Sequence, residues 1–165
     1  MAPAVGDGSC GDPIDLGEIP SWPYSSTTIG APYTATVVPG SNGAPSLVFT
    51  YLLQPGYTIT LRQDTNNYDS RHALRYGGSC PGSTAAVEVV DDPDEKPVMW
   101  TNRGGAAVPV FYIQSGHSGN SGAFTLSWAT GGAPSCRELF LVTRFSATCL
   151  PCADQPHASP TPYHT

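Results

Sequence analysis

Between Val108 and Trp128 the chain reads V-P-V-F-Y-I-Q-S-G-H-S-G-N-S-G-A-F-T-L-S-W, two apolar, aromatic-rich runs on either side of a Gly/Ser/Asn loop. This stretch limits the fold more than any other. In the second run Phe124, Leu126 and Trp128 alternate with Thr125 and Ser127, a period of two that puts every other side chain on one strand face and requires that face to be buried. The first run, Val110 to Ile113, is β-branched and aromatic without alternation, as a strand covered on both sides is. The spacing predicts a central β-hairpin. Its loop, Gln114 to Gly122, is too long for a two-residue turn and reads as an exposed tip.

The remaining strands follow from the same patterning. Ser46 to Leu53 and Tyr57 to Arg62 flank a Gln54-Pro55-Gly56 corner, and Tyr57, Ile59 and Leu61 share one face of the second. Thr27 to Val38 reads as an edge strand broken near Pro32, because proline cannot donate to a central ladder. His72 to Tyr76, Ala86 to Val90 and Val98 to Trp100 complete the set. Gly 18 and Pro 17 make up about a fifth of the 165 residues, which disfavours helices. The expected fold is an all-β, antiparallel, jelly-roll-like β-sandwich of about eight strands, with a core of Phe49, Tyr51, Ile59, Leu61, Val89, Phe111, Ile113, Phe124, Leu126 and Trp128. Residues 1–17 read as a turn-rich lead, 18–130 as the sandwich, 131–152 as a cysteine-bearing extension without decisive period, and 153–165 as a disordered tail.

Charge excludes one class of partner. The net charge is −6 and Lys96 is the only lysine, so no clustered cations are available for nucleic acid. No apolar run approaches membrane-spanning length. Met1 to Val5 lacks a basic n-region and an apolar h-region, so a secretory leader is expected to have been removed or to lie outside these residues. Five cysteines, Cys10, Cys80, Cys136, Cys149 and Cys152, are expected to be mainly oxidised, with the last three linking the extension to itself or back to the sandwich through Cys10. Their connectivity cannot be read from sequence, and an odd number leaves one over. Cys136, Cys149, Cys152 and His157 could make a Cys₃His zinc set, but the second C-x-x-C knuckle of a strong pattern is missing.

From Cys10 to Trp128 the chain resembles the bacterial pre-peptidase C-terminal domain, a small β-sandwich appended to many secreted proteases and other exported proteins. The resemblance rests on several elements in order: Gly8-Ser9-Cys10-Gly11-Asp12-Pro13-Ile14-Asp15-Leu16; the strands Leu47 to Tyr51 and Gly56 to Leu61; Tyr68-Asp69 ahead of Leu74; Asp91-Asp92 after a strand; and Val110 to Ile113 followed by Gly122 to Ser127. The chain departs from that family at Val90, where many members carry a cysteine, and the segment from Cys136 onward has no counterpart there. The resemblance implies a secreted accessory role, and calcium held by loop carboxylates in some members.

Candidate sites are then few. Asp91, Asp92 and Asp94, with Asp69 from a neighbouring loop, offer hard oxygen ligands suited to Ca²⁺, assembled from two loops because the spacing is not that of an EF-hand. The alternative for these carboxylates is a solvated acidic turn. Trp22, Tyr24, Tyr68, Tyr76 and Trp100 are too many to be all core, and a subset with Arg62 and Arg75 is expected to form a shallow face for an extracellular polysaccharide or protein surface. Gly6-x-Gly8-x-x-Gly11 is not a dinucleotide fingerprint, since no strand precedes it and Pro13 interrupts any helix after it. Gly116-His117-Ser118-Gly119-Asn120 misses the G-x-S-x-G elbow at its last position. The expectation is a non-catalytic, secreted binding or adhesion domain. The alternatives are a self-assembling module of a filament or surface layer and a fragment of a secreted hydrolase.

Overall fold

The computed structural model describes residues 6–19, 23–83 and 87–132. Their strands are β1 (Ile14–Asp15), β2 (Tyr24–Thr27), β3 (Tyr33–Thr34), β4 (Pro45–Leu53), β5 (Tyr57–Asn66), β6 (Ser70–Tyr76), β7 (Glu88–Val90), β8 (Val98–Thr101), β9 (Val108–Gly116) and β10 (Ala123–Gly132). They form two facing sheets. Sheet one runs β1-β4-β9-β6-β7, with β3 also on β4, and sheet two runs β2-β10-β5-β8. The pairings are antiparallel except β1 on β4. The all-β sandwich expected from the patterning is what the chain forms. Its first strand lies within the turn-rich lead, where Ile14 and Leu16 are buried.

One expectation is corrected. β9 and β10 are not a hairpin: β9 pairs with β4 and β6 in sheet one, and β10 with β2 and β5 in sheet two. The two burial patterns record the difference: β9, at the centre of sheet one and covered on both faces, is buried without a break from Val110 to Gly116, whereas β10, in sheet two, alternates between its covered inner face and its outer face. The chain crosses between sheets through a short 3₁₀ turn, His117–Gly119. Gly116 begins that crossing, and a Cβ there would lie 1.9 Å from the Asn120 carbonyl oxygen, so no other residue fits without moving backbone.

Sheet one has two apolar layers. Leu47, Phe49, Leu53, Leu74, Val90, Val110 and Tyr112 meet Ile59, Leu61, Val98, Phe124 and Leu126 of sheet two. On the opposite face Val48, Ala73, Phe111 and Ile113 pack under Ala35 and Val38, with Cys10 and Cys80 against them. Phe111 and Ile113 are therefore core residues of this second layer. Val90, at 2% exposure, takes the intersheet position expected of Val89, which lies half-buried on the outer layer. Tyr51 and Trp128 pack on the main core while remaining partly exposed. Phe49 is its hub, with Tyr24 edge-on at 5.6 Å and Phe124 edge-on at 6.2 Å, an arrangement aromatic quadrupoles favour.

A buried polar chain links the sheets inside this core. Tyr112 donates its hydroxyl to Gln114 Oε1 at 3.0 Å, Gln114 Nε2 donates to Tyr68 Oη at 2.9 Å and to Gln63 Oε1, and Gln63 Nε2 donates to Ser70 Oγ at 2.8 Å. Burial pushes the Tyr68 phenol above its ordinary value and the Tyr112 phenol well above, so both stay protonated as the chain requires.

Candidate functional site

An open groove lies where β8 ends. β8 pairs only with β5, Trp100 opposite Ile59 and Thr101 opposite Thr58. Asn102 then fixes the turn: it donates its N–H to Tyr57 O at 2.9 Å and its side-chain amide to Leu53 O at 3.0 Å and Ala106 O at 2.8 Å, and it accepts from Gly104 N–H at 3.0 Å. A buried asparagine thus ties β8 to the end of β4 and to its own loop. Above it Trp100 stacks on Tyr76, from the end of β6, with centroids 4.1 Å apart and planes 19° from parallel. These rings, Met99, Arg103 and Val108 line an open groove of about 640 Å³.

Arg103 gives the groove its charge. Among the described lysines and arginines, Arg62 pairs with Asp64, Arg71 with Asp91 and Lys96 with Glu88, while Arg75 donates to Pro81 O and Gly82 O. Arg103 alone among them has no hydrogen bond or ion pair, and it is exposed. Nothing in the sequence singles it out, because Arg103 stands in an Asn102-Arg103-Gly104-Gly105 run whose residue types mark only the end of a strand.

Of the aromatic and cationic residues expected to form a binding face, the structure brings together Tyr76 and Trp100. Tyr24 packs on Phe49, and the Tyr68 hydroxyl belongs to the buried polar chain, where it also donates to Ser115 O at 3.2 Å. Arg62 and Arg75 are held by the partners already named. Trp22 lies outside the described residues.

The four carboxylates expected to converge do not. Asp69 Oδ2 sits 3.0 Å from His117 Nδ1, and Asp91 Oδ2 lies 2.5 Å from Arg71 Nη2. Asp94 Oδ2 accepts from Asn66 Nδ2 and, at 3.3 Å, from Ser70 N–H, and Asp92 is exposed. Each buried or half-buried carboxylate is drawn to a separate donor. No group of three or more His, Cys, Asp or Glu side chains placed to hold a metal ion occurs among the described residues.

Cys10 is bonded to Cys80, so it is not the anchor through which the extension returns to the sandwich. Cys136, Cys149 and Cys152 lie outside the described residues.

The crossover turn assembles what the sequence left scattered. Asp69 meets His117 Nδ1, and His117 Nε2 lies 3.4 Å from Ser118 Oγ, the order of a nucleophile, base and orienting acid. Ser118 has φ 48°, a left-handed conformation. Two features weigh against acyl transfer here. The Ser118 and Gly119 N–H groups are committed to Gly40 O and Ser41 O at 3.0 Å each, leaving them unable to receive a developing oxyanion. The Asp69 side chain, from the connection between β5 and β6, and that of His117, on the turn, are also 51% and 40% accessible, where water competes for every hydrogen bond.

No family model matches the chain, and no curated protein matches it. Among solved structures it is similar to PliG of Aeromonas hydrophila, a periplasmic lysozyme inhibitor of g-type lysozyme, at 10% identity and a TM-score of 0.45, over 71% of this chain and 94% of that one.

Proposed function

We infer that this chain is a non-catalytic binding domain of an exported protein, and that the groove at Tyr76, Trp100 and Arg103 holds a polysaccharide or protein surface. The observation that carries this reading is the stacked Tyr76–Trp100 pair in an open groove beside an unpartnered guanidinium. Aromatic rings and arginine are the groups most often found at the energetic centre of an interface. The Cys10–Cys80 disulfide supports export, since such bonds persist in oxidising compartments, and resemblance to the pre-peptidase C-terminal domain implies the same accessory role.

The test is a glycan array together with a panel of purified extracellular proteins, each probed with the full chain and two variants. Trp100→Ala is expected to weaken any specific binding by about 1–3 kcal/mol. Arg103→Ala, at an exposed position, is expected to weaken it without changing the melting temperature. Binding that is indifferent to both, with the fold intact, moves the site away from this groove. Size-exclusion chromatography without added ligand separates the self-assembling alternative, which requires a ladder of oligomers.

A further inference from the structure

We propose that the free edge of β8 takes up an extended peptide as an added strand, with a carboxylate of that peptide against Arg103; the proposal rests on the groove being the binding site. The backbone parity of β8 is set at its end. Asn102 donates to Tyr57 O, and in an antiparallel ladder alternate residues turn their N–H and C=O to the same neighbour, so Val98 and Trp100 face β5. Met99 and Thr101 turn their backbone groups the other way. There β8 is the last strand of sheet two, and no described residue bonds to those groups.

An unpaired edge is a template for another strand, and proteins that leave one open usually blunt it with a charge, a proline or a bulge. Here β8 is a short strand of four residues preceded by Lys96-Pro97, but from Val98 to Thr101 the edge carries Met99, 58% exposed, and neither charge nor proline. The groove runs along this edge, since Met99, Trp100, Thr101, Asn102, Arg103 and Gly104 line it consecutively. A peptide strand laid on it would bond through its main chain to Met99 and Thr101 and place alternate side chains over the Tyr76–Trp100 stack. A polysaccharide has no amide ladder to answer these groups, which favours a peptide. Charge selects its side chain. In a chain of net charge −6, the unpartnered Arg103 offers a single planar fork suited to one carboxylate.

The probe is a phage-displayed random dodecapeptide library panned on the full chain, followed by fluorescence anisotropy with a synthetic peptide of the enriched sequence. Enrichment of alternating β-branched or aromatic residues with one acidic position is expected. Met99→Pro removes an edge N–H that β5 does not use, a substitution edge strands tolerate, and should weaken the peptide at least tenfold with the melting temperature unchanged. Arg103→Glu should do the same, and an acid-to-lysine change in the peptide should restore binding to that variant. N-methylation of the peptide at a pairing amide supplies a check that leaves the protein untouched. No enrichment, or peptides insensitive to Met99→Pro, N-methylation and Arg103→Glu, overturns the proposal. If glycans or purified proteins are nonetheless bound in a Trp100-dependent manner, the groove stands and only the peptide occupant fails; if Trp100→Ala changes nothing, both fail.

Discussion

His72 makes stability depend on pH within a window where few other groups titrate. It sits on β6 with no exposure, facing the intersheet core, with its ring 5.3 Å from that of Tyr112. Neither ring nitrogen has a hydrogen-bond partner. Burial pushes its pKa from 6.5 down to about 4, against smaller opposing contributions from the Lys96 main chain and the Glu88 carboxylate. A folded-state pKa below the unfolded value means that the unfolded chain binds the proton more readily, so stability is complete above pH 6.5 and is lost as pH falls toward 4. The whole span is worth about 3 kcal/mol, of which about 2 kcal/mol is lost between pH 7 and pH 5, before most carboxylates titrate. The assay is urea unfolding at half-unit steps over that range. His72→Phe, which keeps a ring beside Tyr112, should flatten the profile. A wild-type loss under about 0.5 kcal/mol across this window, or a His72→Phe profile parallel to it, would refute the reasoning.

The remaining expectations concern the frame. Leu126→Ala, at a position with no exposure, should cost about 2–5 kcal/mol in chemical denaturation. Removing the Cys10–Cys80 bond by double serine substitution opens a loop of 70 residues and should cost about 2–5 kcal/mol, read from the same curves. Gly116→Ala should destabilise by about 1–3 kcal/mol, because its Cβ meets the Asn120 backbone rather than a side chain that can move. Gln114→Ala leaves Gln63, Tyr68 and Tyr112 without their shared partner and should cost at least about 1–3 kcal/mol, where a surface glutamine would cost almost nothing.

Much of the frame is legible in the residues because burial is local. The alternation of Phe124, Leu126 and Trp128 and the unbroken run from Val110 to Ile113 state how many faces of each strand are covered. What they do not state is which other segment does the covering, so a plausible hairpin stood in for a crossover between sheets. Cys10 and Cys80 show the same boundary: seventy residues apart in sequence, they meet because both pack on the layer of Val48, Phe111 and Ile113, which exists only once the sheet is formed. The acidic stretch misled for a different reason. Density along the chain is not convergence in space, and Arg71 lies one step along the ladder from the His72–Val90 pair, near enough to draw Asp91 away from its sequence neighbours. Trp100 and Tyr76 were legible as candidate aromatics, but their stacking depends on the facing of two sheets. Arg103 stands out only after every other described cation is seen to have a partner.

The placement of the groove follows from how the two sheets are finished. Sheet one is sealed on both faces, inward by sheet two and outward by Ala35, Val38 and the disulfide, so it has no broad face left to offer. Sheet two shows an outer face whose hydroxyls answer one another, Thr58 with Thr101 at 2.7 Å and Thr65 with Thr125 at 3.0 Å, and groups already satisfied gain little by meeting a partner. β8 differs on both counts. Its edge carries main-chain donors and acceptors that no described residue answers, and its end carries the Arg103 guanidinium, without a partner among the described residues, beside an aromatic pair that is half-covered. A ligand that bonds to these groups breaks no internal bond described here, and the gain from burying the rings is added to it. Asn102 keeps these parts in register, since its five hydrogen bonds, one of them from Gly56 N–H to its carbonyl at 2.8 Å, fix the strand end, the loop and the adjoining ends of β4 and β5 together; the groove is therefore organised before any ligand arrives, and a ligand that fits it does not bear the entropic cost of ordering it.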